Sequence, residues 1–209
     1  METAATLEHK IAELGIEAPA GAARDLVRFL DLVRKWNKVY NLTKILGDER
    51  MVIEHVLDSL SVLPLLQPSN VIDVGTGAGF PGIPIAIVKP AWHLTLLDSS
   101  HKRCVFLRQA VIDLQLRNVD IACARVEQFV PATLCDTALC RAFAETAEFA
   151  SLAASLVHDD GIMVAMKGVY PADELDRLPS NISVRDVVRL KVPGLDAQRH
   201  AVIMTKALI

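Results

Sequence analysis

The strongest constraint on the fold is a cluster of four glycines that follows a short apolar run. The segment reads Val71-Ile-Asp-Val-Gly-Thr-Gly-Ala-Gly-Phe-Pro-Gly82. Glycine lets a backbone turn sharply and lets a ligand approach without meeting a Cβ atom. Where such a loop joins a buried strand to the first turn of a helix, free backbone amides can point toward a ligand. The sequence therefore predicts a ligand-binding site against this loop.

Short apolar runs alternate with segments of helix length through the middle of the chain. The five runs predicted to be strands lie near residues 71–74, 94–97, 119–122, 137–140 and 162–166. The helix-length segments cover about 82–89, 100–115 and 144–157. Strands that are apolar throughout and alternate with helices are typical of a parallel sheet covered on both faces, the doubly wound α/β class.

The two ends of the chain follow other patterns. Apolar residues recur every three or four positions near 4–14, 22–40 and 49–65, so residues 1–68 are predicted to form a helical N-terminal cap. Two strand-like runs at 182–192 and 200–206 are separated only by a loop, which predicts an antiparallel C-terminal hairpin. We expect residues 69–209 to form an α/β domain that makes one structural unit with the cap.

Composition limits the classes of function. The 209 residues are 52% hydrophobic, and the net charge of -3 excludes a chain that is basic throughout, so any contact with nucleic acid must use a local patch. The four cysteines form no C-x-x-C pair, and we expect no metal site. No apolar run reaches the roughly 18 residues that span a bilayer. We therefore expect a soluble cytoplasmic protein, a monomer, without a membrane partner.

Two acidic residues bear on which ligand the loop takes. Gly77 to Gly82 match G-x-G-x-x-G, which leaves open an NAD-dependent oxidoreductase. Asp73, however, precedes the glycines and would sit close to a pyrophosphate, so it suits a cationic or zwitterionic ligand better. Asp98 ends the next strand, where its carboxylate can accept hydrogen bonds from both ribose hydroxyls of an adenosine group. NAD and S-adenosylmethionine both carry that ribose, and either acid taken alone could simply cap a helix.

A series of motifs resembles one known family. The loop that starts at Asp73 resembles the cofactor loop of class I S-adenosylmethionine-dependent methyltransferases, in the form used by the bacterial ribosomal RNA small-subunit methyltransferase G family, also called glucose-inhibited division protein B. The other matching motifs occur in order along the chain. They are Lys35-Trp-Asn-Lys-Val-Tyr-Asn-Leu-Thr43, His55-Val-Leu-Asp-Ser-Leu60, Leu96-Leu-Asp-Ser-Ser100, Lys102-Arg103, Arg125-Val-Glu127, Arg141-Ala-Phe-Ala144, Met166-Lys-Gly168, and Val192-Pro-Gly-Leu195 with Arg199-His200.

The resemblance implies a Rossmann-like class I methyltransferase fold, with a mostly parallel seven-stranded sheet, and a reaction. The implied reaction uses S-adenosylmethionine to methylate N7 of one guanine, guanine 527 in the 530 loop of 16S ribosomal RNA, and leaves S-adenosylhomocysteine. The implied substrate is the 16S ribosomal RNA or the small ribosomal subunit. Carried over by position, the family's cofactor contacts fall on Gly75, Phe80, Val126, Glu127 and Arg141. The general class of methyltransferases adds Gly77 and Asp98, and Asp73 is a further candidate because of its place before the glycines. At Ser100-His101 the side chains are larger than those expected in the family. The resemblance therefore does not predict the shape of the loop at this point.

Candidate RNA contacts lie in four stretches of the chain. Residues 24–50 hold 7 Lys or Arg and 4 Asp or Glu, a basic excess in an acidic chain. Cations there would bind phosphates, whereas Trp36 lies on the apolar stripe of its helix and is predicted to pack in the core. His55 and Asp58, three positions apart on one helix face, could form a local hydrogen-bonded pair. The predicted RNA-binding residues are Asn37, Lys38, Asn41, Lys102, Arg103, Lys167, Arg199 and His200.

We expect no catalytic acid or base. Guanine N7 has a lone pair and no proton, so its attack on a methyl group needs only correct placement. The sequence shows no Ser/His/Asp set that would indicate proton transfer. Besides the oxidoreductase, a non-catalytic RNA-binding assembly factor with the same fold remains an alternative.

Overall fold

The computed structural model describes residues 4–143 and 145–207. The helices are α1 Ala4–Glu13, α2 Ala22–Tyr40, α3 Asp48–Met51, α4 Asp58–Ser61, α5 Gly82–Val88, α6 His101–Asp113, α7 Thr146–Ala153 and α8 Ala172–Leu175. The strands are β1 Asn70–Val74, β2 His93–Asp98, β3 Val119–Cys123, β4 Cys135–Arg141, β5 Val157–Lys167, β6 Ile182–Arg189 and β7 His200–Lys206. A π-helical turn, Val52–Leu57, joins α3 to α4.

The strands form one seven-stranded sheet in the order β3-β2-β1-β4-β5-β7-β6. The first five strands are parallel, whereas β7 runs antiparallel to both β5 and β6. This arrangement confirms the predicted fold class, including the C-terminal hairpin. Its consequence for function is that the carboxyl ends of β1, β2, β4 and β5 and the amino end of β7 share one edge of the sheet.

The N-terminal helices pack on the α/β core rather than standing apart from it. Phe29 of α2 lies 5.0 Å from the Phe80 ring and 6.4 Å from the Phe106 ring, between centroids. Trp36 is half-buried and contacts Tyr40 and Phe106, as expected for a packing residue. One apolar cluster therefore joins the cap to α5 and α6. The division at residue 68 stays an interpretation of the sequence.

Several element boundaries differ from the sequence expectation. The single helix expected at 49–65 ends at Ser61, and a short 3-10 helix, Leu63–Leu65, contains Pro64, which lacks the amide that an α-helix needs. The strand expected at 162–166 begins at Val157, because Val157 pairs with Cys135 of β4. The expected helix 144–157 is correspondingly shorter, and residue 144 lies outside the described residues.

Candidate active site

The glycine loop is held in shape by hydrogen bonds within the protein. The amides of Gly75 and Thr76 donate to the Leu97 carbonyl at 2.8 and 3.1 Å, which ties the loop to β2. Gly75 has a φ of 71°, in the left-handed region that favours glycine. At Gly82 a Cβ atom would lie 2.1 Å from Leu96 Cδ2, so no larger residue fits there without movement.

Asp73 lies beneath this loop. Its side chain is fully buried, and Oδ2 accepts hydrogen bonds from Thr76 Oγ1 at 2.6 Å and from the Gly82 amide at 2.9 Å. Burial raises the pKa of this carboxyl to about 6. Within the described residues, Oδ1 has no hydrogen-bond partner. Asp73 therefore shapes the loop from below, and its assignment as a cofactor contact stays a prediction.

Asp98 stands at the carboxyl end of β2, beside the loop. Its side chain is 3% exposed; Oδ2 accepts from the Gly77 amide at 2.9 Å and Oδ1 from the Ser100 amide at 2.8 Å. Arg103 Nη1 lies 3.3 Å from Oδ2. The carboxylate is thus fixed in orientation by two different segments of backbone.

A pocket of about 180 Å³, here called the glycine-loop pocket, opens beside Asp98. Its walls include residues predicted from the sequence to bind a cofactor, namely Gly75, Asp98, Val126 and Glu127. Phe143 also lines it, although the sequence analysis did not single out this residue. The signal was available, because Phe143 belongs to the motif that follows the apolar strand β4.

These residues fit an adenosine group. Gly75 and Phe143 both line the pocket, and a Cβ atom at the exposed Gly75 would lie 3.8 Å from the Phe143 ring. Val126 and Phe143 offer apolar contacts, while Asp98 and Glu127 offer carboxylate acceptors. The pocket therefore combines apolar side chains that can pack on the face of an adenine ring with acceptors that can bind sugar hydroxyls.

The loop is less suited to a pyrophosphate. A dinucleotide site needs backbone amides that are free to bind phosphate oxygens. In this protein most of the loop amides already donate hydrogen bonds to other protein atoms. The donors are the amides of Gly75, Thr76, Gly77, Gly79, Phe80 and Gly82. This hydrogen bonding argues against the interpretation of G-x-G-x-x-G as a motif that binds a dinucleotide.

A second pocket, here called the basic pocket, lies beside the first and has a volume of about 450 Å³. Its residues come from the cap and from the ends of three strands. Its charged and polar lining consists of Glu54, His55, Asp58, Arg141, Lys167 and Arg199. The structure therefore brings together Lys167 and Arg199, two of the predicted RNA contacts, with Arg141, which the resemblance assigns to the cofactor.

Asp58 joins the two arginines of the basic pocket. Its side chain is 5% exposed; Oδ2 accepts from Arg141 Nη1 at 3.0 Å and Oδ1 from Arg199 Nε at 2.9 Å. Arg141 also donates to the Glu54 carbonyl at 3.0 Å. One buried carboxylate of the cap thus orients guanidinium groups from β4 and from the segment before β7.

His55 is a neutral member of the same network. Its Nδ1 lies 3.1 Å from Arg141 Nη2, and its Nε2 lies 2.9 Å from Thr43 Oγ1. Burial, together with the Arg141 charge, lowers the pKa of His55 to about 3. The imidazole also stacks on Phe80, with ring centroids 4.3 Å apart. Phe80 is therefore buried against the cap, and its contact with a cofactor stays a prediction.

The remaining predicted RNA contacts occupy different surroundings. Lys167 Nζ pairs with Glu174 Oε2 at 2.7 Å, and His200 is buried beside it at the start of β7. Lys102 is exposed at the start of α6, near the glycine-loop pocket. At the end of α2, Asn37 Oδ1 accepts from the Thr43 amide at 2.8 Å, whereas Lys38 and Asn41 are exposed. Their binding of RNA stays a prediction.

Comparisons with solved structures place the fold among methyltransferases. TrmN from Thermus thermophilus aligns with a TM-score of 0.58 at 20% identity, over 71% of this chain and 48% of that chain. An S-adenosylmethionine-dependent O-methyltransferase from Thermotoga maritima aligns with a TM-score of 0.57 at 13% identity, over 87% of this chain and 72% of that chain. The protein thus has the Rossmann-like fold of the methyltransferases.

Comparisons of sequence identify the family. A family model described as rRNA small subunit methyltransferase G matches residues 22–203. Relatives named Ribosomal RNA small subunit methyltransferase G occur in Laribacter hongkongensis, at 49% identity over 94% of this chain and 95% of that protein, and in Neisseria meningitidis, at 46% identity over 99% of this chain and 100% of that protein. The chain belongs to the rRNA small subunit methyltransferase G family, and it is a methyltransferase.

The described residues contain neither a membrane-spanning helix nor a cluster of metal ligands. No helix between residues 4 and 207, leaving aside residue 144, is long and apolar enough to cross a membrane. In the same part of the chain, no group of three or more His, Cys, Asp or Glu side chains is arranged to hold a metal ion.

Proposed function

We propose that this protein uses S-adenosylmethionine to methylate N7 of guanine 527, in the 530 loop of 16S ribosomal RNA. The observation that carries the proposal is the position of β4 between the two pockets. Arg141, the last residue of β4, lines the basic pocket, and Phe143, two residues later, lines the glycine-loop pocket. Ala142 between them has a φ of 60°, which is unusual for a residue other than glycine. This turn directs neighbouring side chains into adjacent pockets.

The glycine-loop pocket would hold the cofactor. Asp98 would accept hydrogen bonds from the ribose hydroxyls, and Val126 and Phe143 would pack on the adenine ring. Glu127 is exposed at the pocket wall, where it adds a second acceptor. When bound, S-adenosylmethionine supplies a methyl group on a positively charged sulfur.

The basic pocket would hold the guanine and its phosphates. Guanine carries O6 on the same edge as N7, and both atoms are acceptors. Because N7 is the reacting atom, the N–H donors of Arg199 and Lys167 would bind O6 or the flanking phosphates and leave N7 free. Orientation of the base toward the glycine-loop pocket is then the main contribution of these side chains.

Guanine N7 carries no proton, so the reaction needs no residue that acts as a base. His55 lines the basic pocket, yet its ring nitrogens are engaged by Thr43 and Arg141 and its low pKa keeps it neutral. Its place in the network indicates an orienting role. Catalysis would therefore depend on the placement of N7 in line with the methyl group, inside a site from which water is excluded.

Calorimetric titration separates the proposed class from the alternatives. We expect S-adenosylhomocysteine to bind the purified protein and NADH not to bind at comparable concentration. Binding of NADH alone would favour the oxidoreductase. An assembly factor would bind RNA equally well with and without S-adenosylmethionine, and Asp98→Ala would not change that binding.

A further inference from the structure

Tyr170 differs from the other aromatic residues of this protein in its exposure. The chain has ten aromatic side chains, all within the described residues. Nine of them are buried or half-buried, whereas Tyr170 is 54% exposed. Its neighbour Val169 is 70% exposed. The exposed ring and the exposed aliphatic side chain form a small apolar patch that is open to a binding partner.

Tyr170 does not line the basic pocket itself, but residues close to it in the chain do. It follows Lys167 and Gly168, which line that pocket, by three and two residues. Its ring meets the buried His200 ring edge to face, with centroids 5.8 Å apart and an interplanar angle of 89°. His200 in turn follows Arg199, another lining residue. The ring is thus held in place from one side, at the edge of the cationic site.

The chemistry of this edge fits single-stranded RNA. In a paired A-form helix, guanine N7 faces a deep and narrow groove that side chains cannot enter, so a methylated N7 must belong to an unpaired or opened segment. The neighbours of such a guanine lose stacking partners, and aromatic side chains commonly replace them. Arg199 and Lys167 would bind the phosphates, but neither they nor Asp58 offers an aromatic face.

We propose that Tyr170 stacks on an unpaired base next to the guanine that enters the basic pocket. The inference rests on the proposed function and extends it to the recognition of the RNA segment that flanks the target. Stacking depends on the ring and does not depend on the hydroxyl. Replacement of the ring should therefore weaken RNA binding, whereas removal of the hydroxyl should not.

Steady-state methylation of small ribosomal subunits tests this assignment. We expect Tyr170→Ala to raise KM for the subunit by about 5-fold to 100-fold, with kcat changed less than about 3-fold, and Tyr170→Phe and Tyr170→Trp to stay within about 3-fold of the unmodified protein. Ile112→Ala is the matched control, because Ile112 is 67% exposed on α6 and does not line the basic pocket. An unchanged KM for Tyr170→Ala, or an equal rise for Tyr170→Phe, would overturn the proposal.

A fluorescence measurement separates this inference from the proposed function. The probe is an RNA hairpin whose unpaired loop carries 2-aminopurine next to a guanine. We expect saturating protein and the Tyr170→Phe variant to quench the probe, and Tyr170→Ala to leave it bright. Absence of quenching by the unmodified protein refutes the stacking. Quenching without methyl transfer to any subunit refutes the proposed function and leaves the stacking supported.

Discussion

Asp58 of the cap and Arg141 at the end of β4 form an ion pair of 3.0 Å that joins the N-terminal helices to the carboxyl end of a central strand. The same carboxylate holds Arg199 at 2.9 Å. The helical cap therefore contributes side chains to the basic pocket and does more than cover the sheet.

Replacement of Asp58 should lower both stability and activity. In Asp58→Asn, Arg141 and Arg199 lose their shared negative partner while they remain 18% and 22% exposed. We expect the free energy of unfolding, measured with urea, to fall by about 2 to 3 kcal/mol, and methyl transfer to fall at least about 10-fold at a temperature where the variant is folded.

Asp31→Asn is the control for that variant. Asp31 also pairs with an arginine, Arg34, at 2.6 Å, but its side chain is 66% exposed. Exposed pairs contribute little, so the loss of stability should stay below about 0.5 kcal/mol and activity should not change. If the two variants behave alike, Asp58 does not have the role described.

Asp98 should control cofactor affinity. Asp98→Ala removes a fixed carboxylate from the glycine-loop pocket, and hydrogen bonds to charged groups are worth about 1.5 to 3 kcal/mol. We expect calorimetry to show at least a 10-fold weaker binding of S-adenosylhomocysteine. Asp120→Ala, on a 75% exposed side chain of β3, is the comparison and should bind normally. Equal affinities in the two variants would place the cofactor elsewhere.

The pH dependence of stability should reveal the buried His55. In the folded protein its pKa is about 3, below the ordinary value of 6.5, so between these values the unfolded chain binds a proton that the folded chain does not. Stability from His55 is present above pH 6.5 and is lost as the pH falls toward 3. Each pH unit below 6.5 lowers the free energy of unfolding by about 1.4 kcal/mol. At pH 4.5 the contribution of His55 is therefore smaller by about 3 kcal/mol.

Comparison with His55→Gln isolates this contribution. Asp73 acts in the opposite direction, because its raised pKa of about 6 stabilises the folded state at low pH, but it is present in both proteins. In urea titrations at pH 4.5 and pH 7, the unmodified protein should lose more stability on acidification than the variant. Parallel curves would show that His55 is not held in its neutral form.

Gly82 should not tolerate a side chain. In Gly82→Ala the new Cβ would lie 2.1 Å from Leu96 Cδ2 and 2.9 Å from Asp73 Oδ2, in a fully buried region. We expect a loss of about 2 kcal/mol or more in urea unfolding. Gly168→Ala meets no atom within 4 Å and should change stability by less than about 1 kcal/mol. A stable Gly82→Ala variant would contradict the close packing beneath the loop.

The fold could be predicted from local patterns. The apolar runs of β1 and β2 and the glycines between β1 and α5 are signals that lie within a few residues of one another. For the same reason Gly75 and Asp98, which lie at the carboxyl ends of two predicted strands, could be assigned to one edge of the sheet. Val126 and Glu127 were assigned through the family resemblance and not from a local pattern.

The basic pocket could be predicted only in part. Asp58 and Arg199 are 141 positions apart, and their contact depends on how the cap packs on the sheet, which no local pattern encodes. The spacing of His55 and Asp58 suggests a local hydrogen-bonded pair, yet in the structure each of them contacts Arg141. Tyr170 was missed because exposure of an aromatic residue follows from the surrounding chain and not from its own sequence motif.

The decisive experiment is tritiated methyl transfer to small ribosomal subunits from a strain that lacks the family's enzyme, followed by mapping through chain cleavage at N7-methylguanine. We expect tritium to enter 16S ribosomal RNA and cleavage to occur at guanine 527, while subunits from a strain that has the enzyme accept little. Transfer only to a protein or a small molecule, or cleavage at another guanine, would contradict it.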